Sequence, residues 1–183
     1  MIIESTPLKD AFIFKQEPIE DERGYFSRTF CRKTLNTYGI EFEMVQSNMA
    51  FNRYSKTLRG MHFQKPPFSE QKIVSCLQGA IYDVIIDIRL ESPTFGQWFG
   101  TMLSKNNMSS LYIPKGFAHG YQTLEDNSSI SYMVSENYTP SHESGIRWND
   151  EAFKIDWPVT DGLLVSDKDR NWIDFRRDID GIR

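Results

Sequence analysis

Cysteine and histidine are scarce in this chain of 183 residues, and positive charge is nowhere in excess. Two cysteines, Cys31 and Cys76, allow at most one bridge, so a reduced pair in a cytoplasmic protein is expected rather than a disulfide framework. The formal net charge of −4 leaves no general basic surface, which argues against nucleic acid as a partner. Any phosphate the chain binds must therefore be gripped by a few local arginines and lysines. Long apolar runs are also missing. Residues 1–12 carry Glu4, Lys9 and Asp10 where a signal peptide needs an unbroken apolar stretch. The greasiest segment, residues 80–88, is interrupted by Asp83 and Asp87 and is too short to span a bilayer. Neither export nor membrane insertion is expected. No repeat, low-complexity tract or linker divides the chain, so residues 1–183 are expected to form a single domain with a sizeable core.

Helical periodicity is equally scarce, with one short candidate over residues 32–38, ahead of Gly39. Strand signals dominate instead, over residues 11–14, 73–77, 81–88, 96–103, 110–113 and 130–134. Gly24, Gly60, Gly79, Ser92-Pro93, Pro114-Lys115-Gly116 and Gly120 punctuate them as turn residues. Many short strands at such spacing predict an all-β barrel or jelly roll. Aromatic residues at 14 %, 13 of them Phe and 8 Tyr, suit such a fold and suit flat ligands, though an aromatic core explains them equally well. In residues 82–89, alternation puts Asp83, Ile85, Asp87 and Arg89 on one strand face and Tyr82, Val84, Ile86 and Ile88 on the other. The apolar face is expected to pack between sheets. The polar face is left for solvent or for a polar cavity, and on its own the pattern favours solvent.

Chemistry in a chain with three histidines must concentrate around few points. His62 lies in Leu58-Arg59-Gly60-Met61-His62-Phe63-Gln64, and His119 in Ile113-Pro114-Lys115-Gly116-Phe117-Ala118-His119-Gly120. Metal sites in small β-barrels need a His-x-His pair on one strand face, a carboxylate and a further His. Two residues after His62 stands Gln64, and neither other histidine has a second one nearby, so no metal is expected. A lone histidine is more often structural than reactive. Arg59, Gln64 and Lys72 shift that balance for His62, because a core histidine needs one hydrogen-bond partner and not a set of cations. Those cations suit an anionic ligand such as a diphosphate.

These segments together resemble the dTDP-4-dehydrorhamnose 3,5-epimerase family, a branch of the cupin-like jelly rolls, over nearly the whole chain. Besides the two histidine segments, the resemblance is carried by Asp21-Glu22-Arg23-Gly24-Tyr25-Phe26, Gln46-Ser47-Asn48, Tyr82-Asp83-Val84 and Asp87-Ile88-Arg89. It continues through Ser92-Pro93-Thr94-Phe95-Gly96-Gln97-Trp98, Gly145-Ile146-Arg147-Trp148-Asn149-Asp150 and Ser166-Asp167-Lys168-Asp169. The joint order and spacing are specific where any one match is not.

The resemblance implies an isomerase of deoxysugar and O-antigen polysaccharide biosynthesis, inverting C3, C5 or both of a nucleotide-linked 4-keto-6-deoxyhexose. The ketone acidifies the neighbouring C–H bonds, so inversion through an enolate needs a base on one ring face and an acid on the other. On that resemblance His62 is the base, Asp169 the carboxylate that orients it, Tyr132 the opposing acid and Lys72 the cation near the C4 oxygen. His119 and Asp83 match a second dyad in the pocket, which would turn the polar face of residues 82–89 inward. Arg23 and Arg59 would grip the diphosphate. Gln46, Asn48, Glu143 and Lys168 match substrate contacts, and Phe26 and Tyr138 match aromatic positions near nucleotide and sugar. Each has a plain structural alternative: Arg23 in a salt bridge with Asp21, Phe26 in the core, Tyr132 as a packed strand tyrosine. On the residues alone, the structural alternative is favoured for Phe26 and Tyr138, and function for Arg59, His62 and Lys72.

No cofactor is implied, and the resemblance implies a homodimer paired through N-terminal strands. Three departures fall around the nucleotide pocket. Ala50 and Asn52 stand where the family usually has serines, Gln71 replaces a small residue before Lys72, and Arg28 stands where the dTDP enzymes typically have glutamate. Arginine only donates hydrogen bonds, which suits cytosine N3 and O2 better than thymine N3–H, so CDP is expected over dTDP. A sugar-nucleotide 3,4-ketoisomerase and a non-catalytic sugar-nucleotide binder are the alternatives.

Overall fold

The computed structural model describes residues 1–182. The chain opens with β1 (Ile2–Ser5), β2 (Phe12–Lys15), the short β3 (Ile19–Asp21) and β4 (Gly24–Phe26), and α1 (Arg32–Asn36). Eight longer strands follow: β5 (Gln46–Asn52), β6 (Thr57–Gln64), β7 (Lys72–Gln78), β8 (Ala80–Asp87), β9 (Trp98–Ser104), β10 (Ser109–Ile113), β11 (Phe117–Thr123) and β12 (Ser128–Val134). The C-terminal part adds β13 (Glu143–Gly145), β14 (Leu164–Val165), α2 (Asp167–Arg170) and α3 (Arg177–Asp180). Among the described residues, no helix is long and apolar enough to cross a membrane.

Two sheets face each other in a cupin-like jelly roll, as the spacing of the strand signals predicts. One runs β1-β2-β10-β7-β12-β5 and the other β13-β6-β11-β8-β9, with β14 parallel to β6. Their inner faces share one apolar layer. Val74, Leu111, Ile113 and Ile130 come from the first sheet, and Ile81, Ile85, Leu103 and Phe117 from the second. Side chains of this size each contribute about 1.5–3 kcal/mol when fully buried. Behind the first sheet, Leu35 of α1 and the following Ile40 and Phe42 cover Phe14, Ile73 and Tyr112. Behind the second, Ile146, Phe153, Trp157, Val165 and Phe175 cover Leu58, Met61, Val84, Ile86 and Ile88.

That outer layer corrects one expectation. The apolar face of residues 82–89 does not pack between the sheets; it points outward, beneath the C-terminal segment. The face bearing Asp83, Ile85 and Asp87 is the inner one, and both aspartates are fully buried. Asp87 is tolerated because Arg89, Ser92 and Thr94 all donate to its carboxylate. Burial pushes its carboxyl up, and these hydrogen bonds outweigh it, leaving it below the ordinary aspartate value. Cys76 lies in the inner layer, and both cysteines are free thiols.

Gly60 and Gly120 are a second correction, because they lie inside strands rather than at turns. A Cβ on Gly60 would stand 2.5 Å from Gly120 Cα and 2.7 Å from the His119 carbonyl oxygen, and Gly60 has a φ of +118°. Only glycine permits so close an approach of backbone to backbone. The register of β6 against β11 shifts there, with His119 opposite His62 but Tyr121 opposite Arg59. The extra residue on β6 is a bulge. Leu58, Met61 and Phe63 turn to the outer layer, while Arg59, His62 and Gln64 are left facing inward despite their uneven spacing.

Candidate active site

At one end of the barrel, the two inner faces diverge around a cavity of about 440 Å³. On the first sheet, β12 pairs Tyr132 with Asn48 and Val134 with Gln46 on one side, and Val134 with Lys72 on the other. Period-two alternation places these side chains on a common face, where they line the cavity. His62 and Gln64 of β6 and Glu143 of β13 form the opposite wall. Here the core pattern gives way to polar residues because the space between the sheets is open.

His62 Nε2 lies 2.6 Å from Asp169 Oδ1, and the Asp169 side chain is only 4 % exposed. Helix α2 presents this carboxylate: Ser166 caps it by accepting the Asp169 N–H, and the Gly60 N–H reaches the second carboxylate oxygen at 3.4 Å. Burial raises the Asp169 carboxyl, but hydrogen bonding and attraction from His62, with the Gly60 and Ser166 contacts, hold it below the ordinary aspartate value. An ionised carboxylate only accepts, so the proton of a neutral His62 sits on Nε2 and its Nδ1 carries a free lone pair. His119 Nε2 and Asp83 Oδ1 make a second contact of 2.6 Å next to the first, since His119 and His62 are register partners. Asp83 Oδ2 is buried with no hydrogen-bond partner among the described residues. The polar face of residues 82–89 thus points inward, while Asp83 and His119 themselves lie beside the cavity and not in its lining.

The rim is knit by charge. Glu143 accepts from Lys168 Nζ at 2.6 Å and from Tyr138 Oη at 2.7 Å, and the Tyr138 N–H donates to Gln46 Oε1. Burial pushes the Glu143 carboxyl up, yet these two donors hold it below its ordinary value; the same contact with Glu143 raises the Tyr138 phenol. Tyr138, for which the residues alone favoured a structural role, is an exposed side chain of the cavity rim. Tyr132 both packs against the inner core and lines the cavity. Arg59, Lys168 and Asp169 share a second cleft with His62, between β6 and α2. Arg59 Nε donates to Asn52 Oδ1 at 2.8 Å, so one of the departures from the family pattern holds this guanidinium.

Three expected binding residues stand apart from the cavity. Arg23 is bonded to Asp21 across the β3–β4 turn at 2.5 Å, which is its structural alternative. Phe26 is 68 % exposed, not in the core. Arg28 is exposed, and no hydrogen bond of its side chain to another described residue is found. Conversely, Glu70 lines the cavity beside Lys72 and was not singled out from the sequence. The available signal was its spacing, two residues before Lys72 in an extended segment, hence on the same face.

Among the described residues, no three His, Cys, Asp or Glu side chains gather as a metal site. The arrangement is suited to proton transfer: an imidazole with an oriented lone pair on one wall, and on the other a phenol with an ammonium on the neighbouring strand.

Comparison with known proteins agrees over almost the entire chain. The family profile described as dTDP-4-dehydrorhamnose 3,5-epimerase matches residues 5–177. The enzyme of that name from Methanothermobacter thermautotrophicus is 41 % identical over 173 residues, 93 % of this chain and 92 % of its own. The crystal structure of the Bacillus anthracis enzyme, with TDP and pyrophosphate bound, superposes with a TM-score of 0.92 at 42 % identity, covering 95 % of this chain and 99 % of that one. The Legionella pneumophila enzyme in complex with dTDP-4-keto-L-rhamnose gives 0.87 at 38 % identity, over 92 % and 89 % of the two chains.

Proposed function

The chain belongs to the dTDP-4-dehydrorhamnose 3,5-epimerase family, and from that premise we propose that it epimerises a dTDP-linked 4-keto-6-deoxyhexose in deoxysugar biosynthesis. The observation that carries this is the opposition of the His62–Asp169 dyad and Tyr132 across one cavity, with Lys72 on the strand next to that of Tyr132. His62 Nδ1 takes the proton from the carbon next to the ketone. The electron pair moves into an enolate, whose oxygen is stabilised by the Lys72 ammonium. Tyr132 then protonates the same carbon from the opposite face, inverting it. Asp169 keeps the imidazole in its reactive tautomer and stabilises the imidazolium formed.

Arg59 and Lys168, beside His62 in the adjoining cleft, supply positive charge for a diphosphate. The exposed β3–β4 hairpin supports a homodimer in which Arg23, Phe26 and Arg28 serve the neighbouring subunit's nucleotide. Ile19, Tyr25 and Phe26 are 71 %, 54 % and 68 % exposed on a two-stranded sheet bonded to neither main sheet. An active monomer in light scattering at assay concentration would exclude this. A second reading of the base, cytosine in place of thymine, rests on Arg28, which offers donors only. Competition between CDP and dTDP decides it, and an unchanged preference in Arg28→Glu removes Arg28 from base recognition.

Incubation with dTDP-4-keto-6-deoxyglucose in deuterated water tests the activity itself. Deuterium at C3, at C5 or at both is expected by NMR and shows which carbons invert. Nucleotide binding without exchange would indicate a mere binder, and migration of the ketone to C3 a ketoisomerase.

A further inference from the structure

Glu70 belongs to no strand, yet its side chain is only 8 % exposed in the cavity wall. One carboxylate oxygen, Oε1, stands 3.0 Å from Lys72 Nζ, whose own side chain is 13 % exposed. The other, Oε2, accepts from Gln64 Nε2 at 2.6 Å. Gln64 is itself pinned, its Oε1 accepting the Thr139 N–H at 2.6 Å and its Nε2 also reaching the Phe68 and Asn137 carbonyls. Lys72 opens β7 in the first sheet, and Gln64 closes β6 in the second, two residues after His62. Glu70 therefore spans the gap between the sheet that carries the imidazole and the sheet that carries the ammonium.

We propose that Glu70 is a positioning residue: it fixes the Lys72 ammonium relative to His62, through Gln64, at the point where the enolate oxygen develops. The consequence for turnover rests on the epimerase reading; the fixing of Lys72 does not. A lysine side chain has four rotatable bonds, and among the described residues Glu70 is the one carboxylate found paired with this ammonium. The contrary role, a carboxylate that only dampens the field of the ammonium, has the opposite sign. Removing a damping charge would speed proton exchange, whereas removing an anchor slows it. The anchoring of Oε2 by a buried and doubly held glutamine favours the anchor.

The test uses Glu70→Ala and Glu70→Gln, each in the wild-type and in the Lys72→Met background. Glu70→Ala is expected to slow solvent-deuterium exchange on the order of 10-fold at unchanged KM, because misplacement of a stabilising group acts on kcat. Glu70→Gln can keep its oxygen toward the ammonium, but its NH₂ group then meets Gln64 Nε2, donor against donor, so its exchange rate should recover only in part, between that of Glu70→Ala and wild type. In the Lys72→Met background, Glu70→Ala should add no further loss, since a residue acting through Lys72 has nothing left to act on. Faster exchange in Glu70→Ala, equal loss in both backgrounds, or an effect on KM alone would each overturn the assignment. A readout without substrate separates this from the function itself. In 13C-resolved NMR spectra, the two Lys72 ε-methylene protons should be distinct when the ammonium is held and should merge in Glu70→Ala. If they merge but the wild-type protein exchanges no substrate hydrogen, the epimerase reading fails and the anchoring stands. Unchanged Lys72 signals overturn the anchoring whatever the activity.

Discussion

Replacing Asp169 with asparagine keeps the size of the side chain and removes its charge, which isolates what the carboxylate does for His62. The amide has two orientations, and both are costly. With its oxygen toward His62 Nε2, its NH₂ group faces the Gly60 N–H, donor against donor, in a site 3 % exposed to water. With its nitrogen toward His62, the imidazole must accept at Nε2, and the proton moves to Nδ1, where the lone pair is needed. Loss of the reactive tautomer in a His–Asp pair costs on the order of 10⁴ in kcat in the hydrolase triad. Loss of a hydrogen bond to a charged group costs about 1.5–3 kcal/mol of stability. The pH dependence follows from the depressed Asp169 carboxyl. A carboxyl lowered in the folded state stabilises the protein above its unfolded value and loses that contribution as pH falls through the folded one. The stability gap between wild type and Asp169→Asn should therefore be full at pH 7 and shrink below about pH 4. Deuterium wash-in measures the rate, and urea titrations at pH 7 and pH 3.5 measure the gap. Turnover within tenfold of wild type, or a gap that ignores pH, would refute the orienting role.

His62→Asn should lower turnover by about 10² or more while dTDP affinity, measured by calorimetry, stays near that of wild type. Near-normal turnover would remove His62 as the base. Tyr132→Phe should impair product formation more than exchange at the His62 face, because proton removal survives; equal loss of both would make Tyr132 a wall of the pocket and nothing more. Gly60→Ala should destabilise by about 3 kcal/mol or more and reduce activity with it, since the added Cβ meets backbone of Gly120 and His119 that cannot swing away. A urea midpoint unchanged from wild type would contradict the close β6–β11 approach.

Much of the strand framework is legible in the residues alone. Residues 73–77, 81–88 and 130–134 alternate or run apolar because they line a dry core; the first and last reappear within β7 and β12, and the middle one as β8 up to Asp87. The short helix before Gly39 reappears as α1. Strands β5, β6 and β11 are different. Their inward residues, Gln46, Asn48, Arg59, His62, Gln64 and His119, face a cavity or one another, and so erase the apolar period that marks a half-buried strand. The strands that build the site are hardest to see for the reason that they build it.

Local periodicity divides the side chains of a strand into two faces, and residues 82–89 were divided correctly on that ground alone. Which face is covered, and by what, is a non-local matter. Asp83 can be buried because His119 meets it from β11, and Val84 and Ile86 can point outward because residues 146–175 lie over them. Gly60 and Gly120 resemble turn residues until two strands are seen to touch at them. The pairing of His62 with Asp169 spans 107 positions, and nothing in spacing or composition announces it. Spacing alone puts Glu70 on the face of Lys72, but the convergence of two sheets on its carboxylate is a product of the fold. Chemical identity and face belong to the sequence; closure of the distance between them depends on hydrophobic burial that only the folded chain achieves.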